Sequence, residues 1–242
     1  MTSKLIRTVY GIYVWLVFLA IGLCTTLLAL FLPGLERRRR LSRAASRAVL
    51  SLAGMSLAVK SLETIPAGQC VIVANHASYL DGLVMTAALP PRFAFVIKRE
   101  MSRVPLAGLL LRRLGSQFVE RFNRHGTATD ARRMMRNAVS GQSLVFFPEG
   151  TFSPQPGLLK FHAGAFLTAA RAGCPVVPAV VRGTREALPP GGALPRLSQI
   201  EVEFLPPLQP VAAPAAKATT DLRDRARKAI LLELREPDLT AA

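Results

Sequence analysis

CVIVANHASYLD, residues 70–81, passes from an apolar run straight into a polar patch. Cys70–Asn75 is rich in β-branched residues and has no polar alternation, so it reads as a strand buried on both faces. Leu80–Ala88 then reads as a helix. The same alternation recurs along the chain. Strands are expected at Phe93–Lys98, around Phe118, at Ser143–Pro148, Pro175–Val181 and Ile200–Leu205. Helices are expected at Val104–Leu114, Thr127–Val139 and Gly164–Ala172. Alternating strands and helices predict an α/β fold with a mainly parallel central sheet covered by helices. Ligand sites in such sheets form where strands end. NHASYLD follows the first of these strands, ERFNR the third and FPEGTFS the fourth.

The N-terminal quarter has a different texture. Val9–Leu32, VYGIYVWLVFLAIGLCTTLLALFL, carries no charge. As a helix rising ~1.5 Å per residue it is long enough for a ~30 Å hydrocarbon core. A cleaved signal would have a shorter apolar region and a small-residue cleavage site. Here Pro33-Gly34 and ERRRR follow, so an uncleaved membrane helix is expected. Arg37–Arg40, Arg43 and Arg47 crowd just beyond it, against Lys4 and Arg7 before it. That bias predicts a cell-membrane protein with its catalytic part on the cytoplasmic face. A helix lying in one leaflet is the alternative. Leu41–Lys60 is expected to continue as a basic amphipathic connector. The chain thus divides into an anchor and connector, 1–60, and a catalytic domain, 61–242. Leu205–Thr220 is expected to be extended, and Asp221–Leu234 to form a terminal helix.

The chain has 242 residues, half of them hydrophobic, and a formal net charge of +16. Mean hydropathy is +0.31, high for a purely soluble protein. Such a balance implies an anionic partner, here expected to be a membrane with anionic lipids. No nucleic-acid motif accompanies the charge, so nucleic acid is not the expected partner. Cys24, Cys70 and Cys174 have no zinc or disulfide spacing, and no metal site is expected. No glycine-rich nucleotide loop is present.

His76 is one of only three histidines, with Asp81 five residues on. A chain that turns back over that distance lets the carboxylate bond one imidazole nitrogen and leaves the other as a general base. The pair resembles a serine-protease relay without its serine, and a substrate hydroxyl can supply the missing nucleophile. A hydrolase would need a nucleophile elbow. No G-x-S-x-G is present, and Ser78 is the only near serine. A non-enzymatic binder of anionic lipids is the other competing reading.

Four segments together resemble the glycerolipid acyltransferase family, typified by 1-acylglycerol-3-phosphate acyltransferase. They are NHASYLD (N-H-x-x-x-x-D), GSQFVER ending at Arg121, FFPEGTFS at Phe146–Ser153, and CPVVPA at Cys174–Ala179, in family order. The resemblance implies that His76 deprotonates the free hydroxyl of a lysophospholipid acceptor and that Asp81 orients His76. It implies that Arg121 holds the acceptor phosphate. It implies that Glu149, Gly150 and Thr151 shape the acceptor site. Asn75, Ser78, Phe147, Pro148 and the nearby cation Lys160 are the further residues expected around the substrate. Acyl-CoA or acyl carrier protein is the implied acyl donor, with no other cofactor. The product would be phosphatidic acid, or the acylated form of another lysolipid. Two positions depart from the family pattern: Phe152 stands where F-P-E-G-T-R has arginine, and His162 where F-K-x-G has lysine.

Overall fold

The computed structural model of the protein describes residues 2–119 and 141–240. Among these, seven strands form one sheet: β1 (Ser56–Lys60), β2 (Val71–Ala74), β3 (Ala94–Lys98), β4 (Gln117–Val119), β5 (Leu144–Phe146), β6 (Val176–Arg182) and β7 (Gln199–Phe204). Their order is β1-β7-β6-β2-β5-β3-β4. Every pairing is parallel except β6 with β7, so β7 and β1 run against the other five. The helices are α1 (Thr2–Phe31), α2 (Leu35–Leu52), α3 (Asp81–Ala88), α4 (Ala107–Arg113), α5 (Gly164–Ala172), the short α6 (Thr184–Ala187) and α7 (Ala215–Leu234).

The central strands are apolar throughout because both faces of the sheet are covered. Ile72, Ala74, Val145 and Val177 face Val84, Met85 and Ala88 of α3 and Leu50 of α2. The alternate residues Val71, Val73, Leu144 and Val176 face Phe166 of α5 and Leu222, Ala226 and Ile230 of α7. Period-two alternation thus divides one run of valines and isoleucines between two cores.

Two helix expectations are corrected. The connector helix does not reach Lys60: α2 ends at Leu52, Gly54 turns the chain in the left-handed region (φ +68°), and Ser56–Lys60 forms edge strand β1 beside β7. SLAVK alternates half-buried Leu57 and Val59 with exposed Ser56, Ala58 and Lys60, a period of two rather than 3.6. The sheet therefore begins before residue 61. The terminal helix starts at Ala215, because Pro214 fixes the entry angle and a run of good helix formers follows. The helix expected over 127–139 lies outside the described residues.

α1 is long and apolar enough to cross a membrane by length and composition. It nevertheless packs along the rest of the chain at both ends. Tyr10 Oη donates to the Ala53 carbonyl at 2.7 Å, Trp15 Nε1 to Ala193 at 2.8 Å, and Arg113 Nη2 to Leu30 at 3.1 Å. The opposite face is an exposed stripe of Leu5, Val9, Ile12, Leu16, Leu19, Leu23 and Leu27.

Candidate active site

β2 and β5 are adjacent and parallel, with Val73 opposite Phe146. The loop after each strand therefore emerges at the same edge, which brings NHASYLD beside FPEGTFS. The first loop folds around a single carboxylate oxygen. Asp81, the first residue of α3, is fully buried. Its Oδ2 accepts His76 Nδ1–H at 2.7 Å, the Ala77 N–H at 2.7 Å and the Ser78 N–H at 2.9 Å. Three converging donors fix the carboxylate, and the carboxylate places the proton on Nδ1. Nε2 is left as the basic nitrogen, on a side chain 19% exposed.

The imidazole is held between two rings. Phe147 stacks on it at 4.5 Å, and Phe152 meets it edge-on at 4.6 Å. Phe152 also packs edge-on against Tyr79, which is 73% exposed. The departure at position 152 thus puts an aromatic edge against the histidine ring in place of a cation.

Glu149 is 3% exposed and ties the two loops together. Oε1 accepts the His76 N–H at 2.6 Å, and Oε2 accepts the Leu159 N–H at 2.8 Å. Burial pushes its carboxyl up to about 7, against the opposing pull of those two N–H bonds. The folded chain therefore binds this proton more tightly than the unfolded chain, where the ordinary value is 4.5. Stability from this group is full below pH 4.5, falls as pH rises toward 7, and then levels. At ~1.4 kcal/mol per unit the span is worth about 3 kcal/mol. Glu149→Gln imitates the protonated form. Unfolding titrations of both proteins from pH 4 to 8 are expected to show the difference in stability shifting by that amount, in the wild type's disfavour. A constant difference would mean that the carboxyl ionises normally.

Other sequence-predicted residues serve the scaffold. Asn75 exchanges two bonds with the Val181 backbone of β6, at 2.9 and 2.7 Å. Ser78 Oγ donates to the Leu188 carbonyl at 2.7 Å. Both are buried, and they pin the histidine loop to β6 and to the segment after it. Gly150 takes a left-handed φ of +74°, which only glycine adopts without strain, in a turn closed by its N–H on the Phe147 carbonyl. The buried Pro148 accepts the His162 N–H at 2.8 Å. Thr151 and Lys160 are exposed. Arg121 lies outside the described residues. Sequence reasoning missed Leu159 and Arg185, whose Nη1 donates to the Ser153 carbonyl at 2.5 Å. Contacts made through a backbone group, or from a helix far along the chain, leave no spacing signal.

Comparisons with known proteins bear on the family and the fold. The model of the family described as acyltransferase matches residues 56–182, just over half of the chain. A chloroplastic 1-acyl-sn-glycerol-3-phosphate acyltransferase of Brassica napus is 33% identical over 135 residues, 55% of this chain and 39% of that protein. A lysophospholipid acyltransferase of Arabidopsis thaliana is 38% identical over 119 residues, 46% of this chain and 28% of that protein. The match thus spans less than two fifths of either relative's length. The crystal structure of the 1-acyl-sn-glycerophosphate acyltransferase PlsC from Thermotoga maritima superposes with a TM-score of 0.71 at 20% identity. That match covers 94% of this chain and 96% of that one, and the likeness is one of fold.

Proposed function

The chain belongs to the acyltransferase family, and from that premise we propose that it moves a fatty acyl group from a thioester donor to the free hydroxyl of 1-acylglycerol 3-phosphate, giving phosphatidic acid. The observation that carries this reading is the His76–Asp81 bond, with Nδ1 committed to the carboxylate. Nε2 takes the proton of the acceptor hydroxyl as its oxygen attacks the thioester carbonyl. The tetrahedral intermediate then expels the thiolate, and the imidazolium returns the proton to sulfur. Asp81 stabilises the imidazolium between the two steps. The donor, acyl-CoA or acyl carrier protein, brings the acyl group already activated, so the reaction calls for no metal. Purified protein given acyl-CoA and 1-acylglycerol 3-phosphate is expected to form the diacyl product, read by mass spectrometry. Absence of that product with acylation of another lysolipid would move the acceptor assignment.

Phe152 favours a second acceptor class, a lysophosphodiester with a larger head group, because it offers a ring where the family pattern has a cation. Phe152→Arg is expected to raise the kcat/KM ratio of phosphate monoester to lysophosphodiester about tenfold, the value of a ~1.4 kcal/mol charge-assisted contact. An unchanged ratio would remove position 152 from acceptor choice.

The reading includes a membrane, along which α1 lies in one leaflet. The contacts at Tyr10 and Leu30 are ~30 Å apart along the helix axis. A spanning α1 would drag the attached domain into the hydrocarbon. Spin labels placed singly from Val9 to Leu27 on the exposed stripe are expected to report one common depth. A spanning helix would give depths ~27 Å apart at ~1.5 Å per residue.

A further inference from the structure

A second pocket lies against α3 at Gly82 and Thr86. α2, α3, β3 and α4 enclose a cavity of about 110 Å³, and Phe93, Phe95, Ile97 and Leu111 form much of its wall. Into this apolar space α2 brings Arg39 and Arg43, one helical turn apart. None of the groups that touch the His76 ring or backbone lines it.

Arg39 is only 9% exposed. Its Nε and Nη1 donate to the carbonyls of Leu114 and Arg92, at 2.9 and 3.0 Å, but its buried Nη2 has no partner among the described residues. Arg43 has a buried Nε that is likewise unbonded. Among the described residues, no acidic side chain lines the cavity and neither arginine is in an ion pair. Stapling the Arg92 and Leu114 carbonyls accounts for part of Arg39. It accounts for none of Arg43. Two like charges at i, i+4 repel each other, and a buried guanidinium without an anion is unfavourable. Burial lowers the pKa of both side chains.

We propose that this cavity binds a phosphate monoester bearing a single alkyl tail, with the phosphate on Arg39 and Arg43 and the tail against Phe93, Phe95 and Leu111. Two guanidinium groups match the two negative charges of a monoester better than the single charge of a carboxylate or diester. The apolar walls select a tailed phosphate over the free ion. Thr86, which also lines the cavity from α3, sits where a larger side chain would fill the tail's place.

Calorimetric titration of the full chain carrying His76→Ala, in nonionic detergent with no acyl donor, separates this binding from transfer. Hexyl phosphate is expected to bind about tenfold or more tightly than inorganic phosphate or 1-hexanol. Affinity is expected to fall about tenfold or more in Arg43→Gln, which breaks no bond seen among the described residues, and in Thr86→Leu, which leaves both cations in place. Equal affinity in all three proteins would overturn the inference. So would 1-hexanol binding as tightly as hexyl phosphate, which would mark a pocket that reads the tail alone. Inorganic phosphate binding as tightly would equally overturn it, since the tail would then contribute nothing.

Discussion

His76→Ala is expected to lower the rate of acyl transfer by about 10²–10⁴-fold while the protein keeps its fold. Among the described residues, the imidazole is the one group at this site that pairs an oriented ring with a free basic nitrogen. Nδ1 is committed to Asp81, and the side chain reaches solvent between Phe147 and Phe152. The backbone N–H that Glu149 holds survives the substitution, so the loop keeps its course. The loss is expected in kcat, with the KM values for donor and acceptor little changed, because the base acts in the transition state and not in binding. Retention of more than a tenth of the wild-type rate would take the proton-transfer role away from His76.

Asp81 is expected to separate into two effects that different substitutions resolve. Asp81→Ala leaves His76 Nδ1–H and two backbone N–H groups facing a buried void. Each unsatisfied buried donor costs ~1–3 kcal/mol, so the variant is expected to lose about 3 kcal/mol or more of stability together with activity. Asp81→Asn behaves differently. The Ala77 and Ser78 N–H groups donate to the Oδ2 position and so require an oxygen there, which puts the amide nitrogen at the Oδ1 position, where Asp81 has no bond among the described residues. The Nδ1–H tautomer and the two backbone bonds then persist; the charge is lost and the amide NH2 is left without an acceptor, a smaller cost than the three donors that Asp81→Ala strands. An ionic hydrogen bond worth ~1.5–3 kcal/mol corresponds to a rate loss on the order of 10²-fold. Melting temperatures and kcat of both variants check this. Equal destabilisation by Asn and Ala would contradict the three-donor account.

How far the sequence carried the reading varied with the kind of interaction. The β2, β3, β5 and β6 runs were legible because strands buried on both faces need unbroken apolar stretches. The His76–Asp81 pair was legible because a five-residue loop is local. β1 was not, since a half-buried edge strand of five residues shows little contrast with the amphipathic helix before it. Asn75 and Glu149 stood in motifs that suggested ligands, but their polar atoms are spent on Val181, on the His76 backbone and on Leu159. Those partners are backbone groups, some more than a hundred residues away, and no residue type marks them. Phe152 was visible as a departure from a pattern. Its place against the imidazole came only from the packing of two loops.

The central claim, that His76 activates an acceptor hydroxyl toward a thioester, is tested most directly by thiol release from acyl-CoA with and without acceptor. The wild type is expected to release thiol only when acceptor is present, one thiol for each new ester, with both lost together in His76→Ala. Thiol release that proceeds equally without acceptor would contradict the account and make the pair a hydrolytic one.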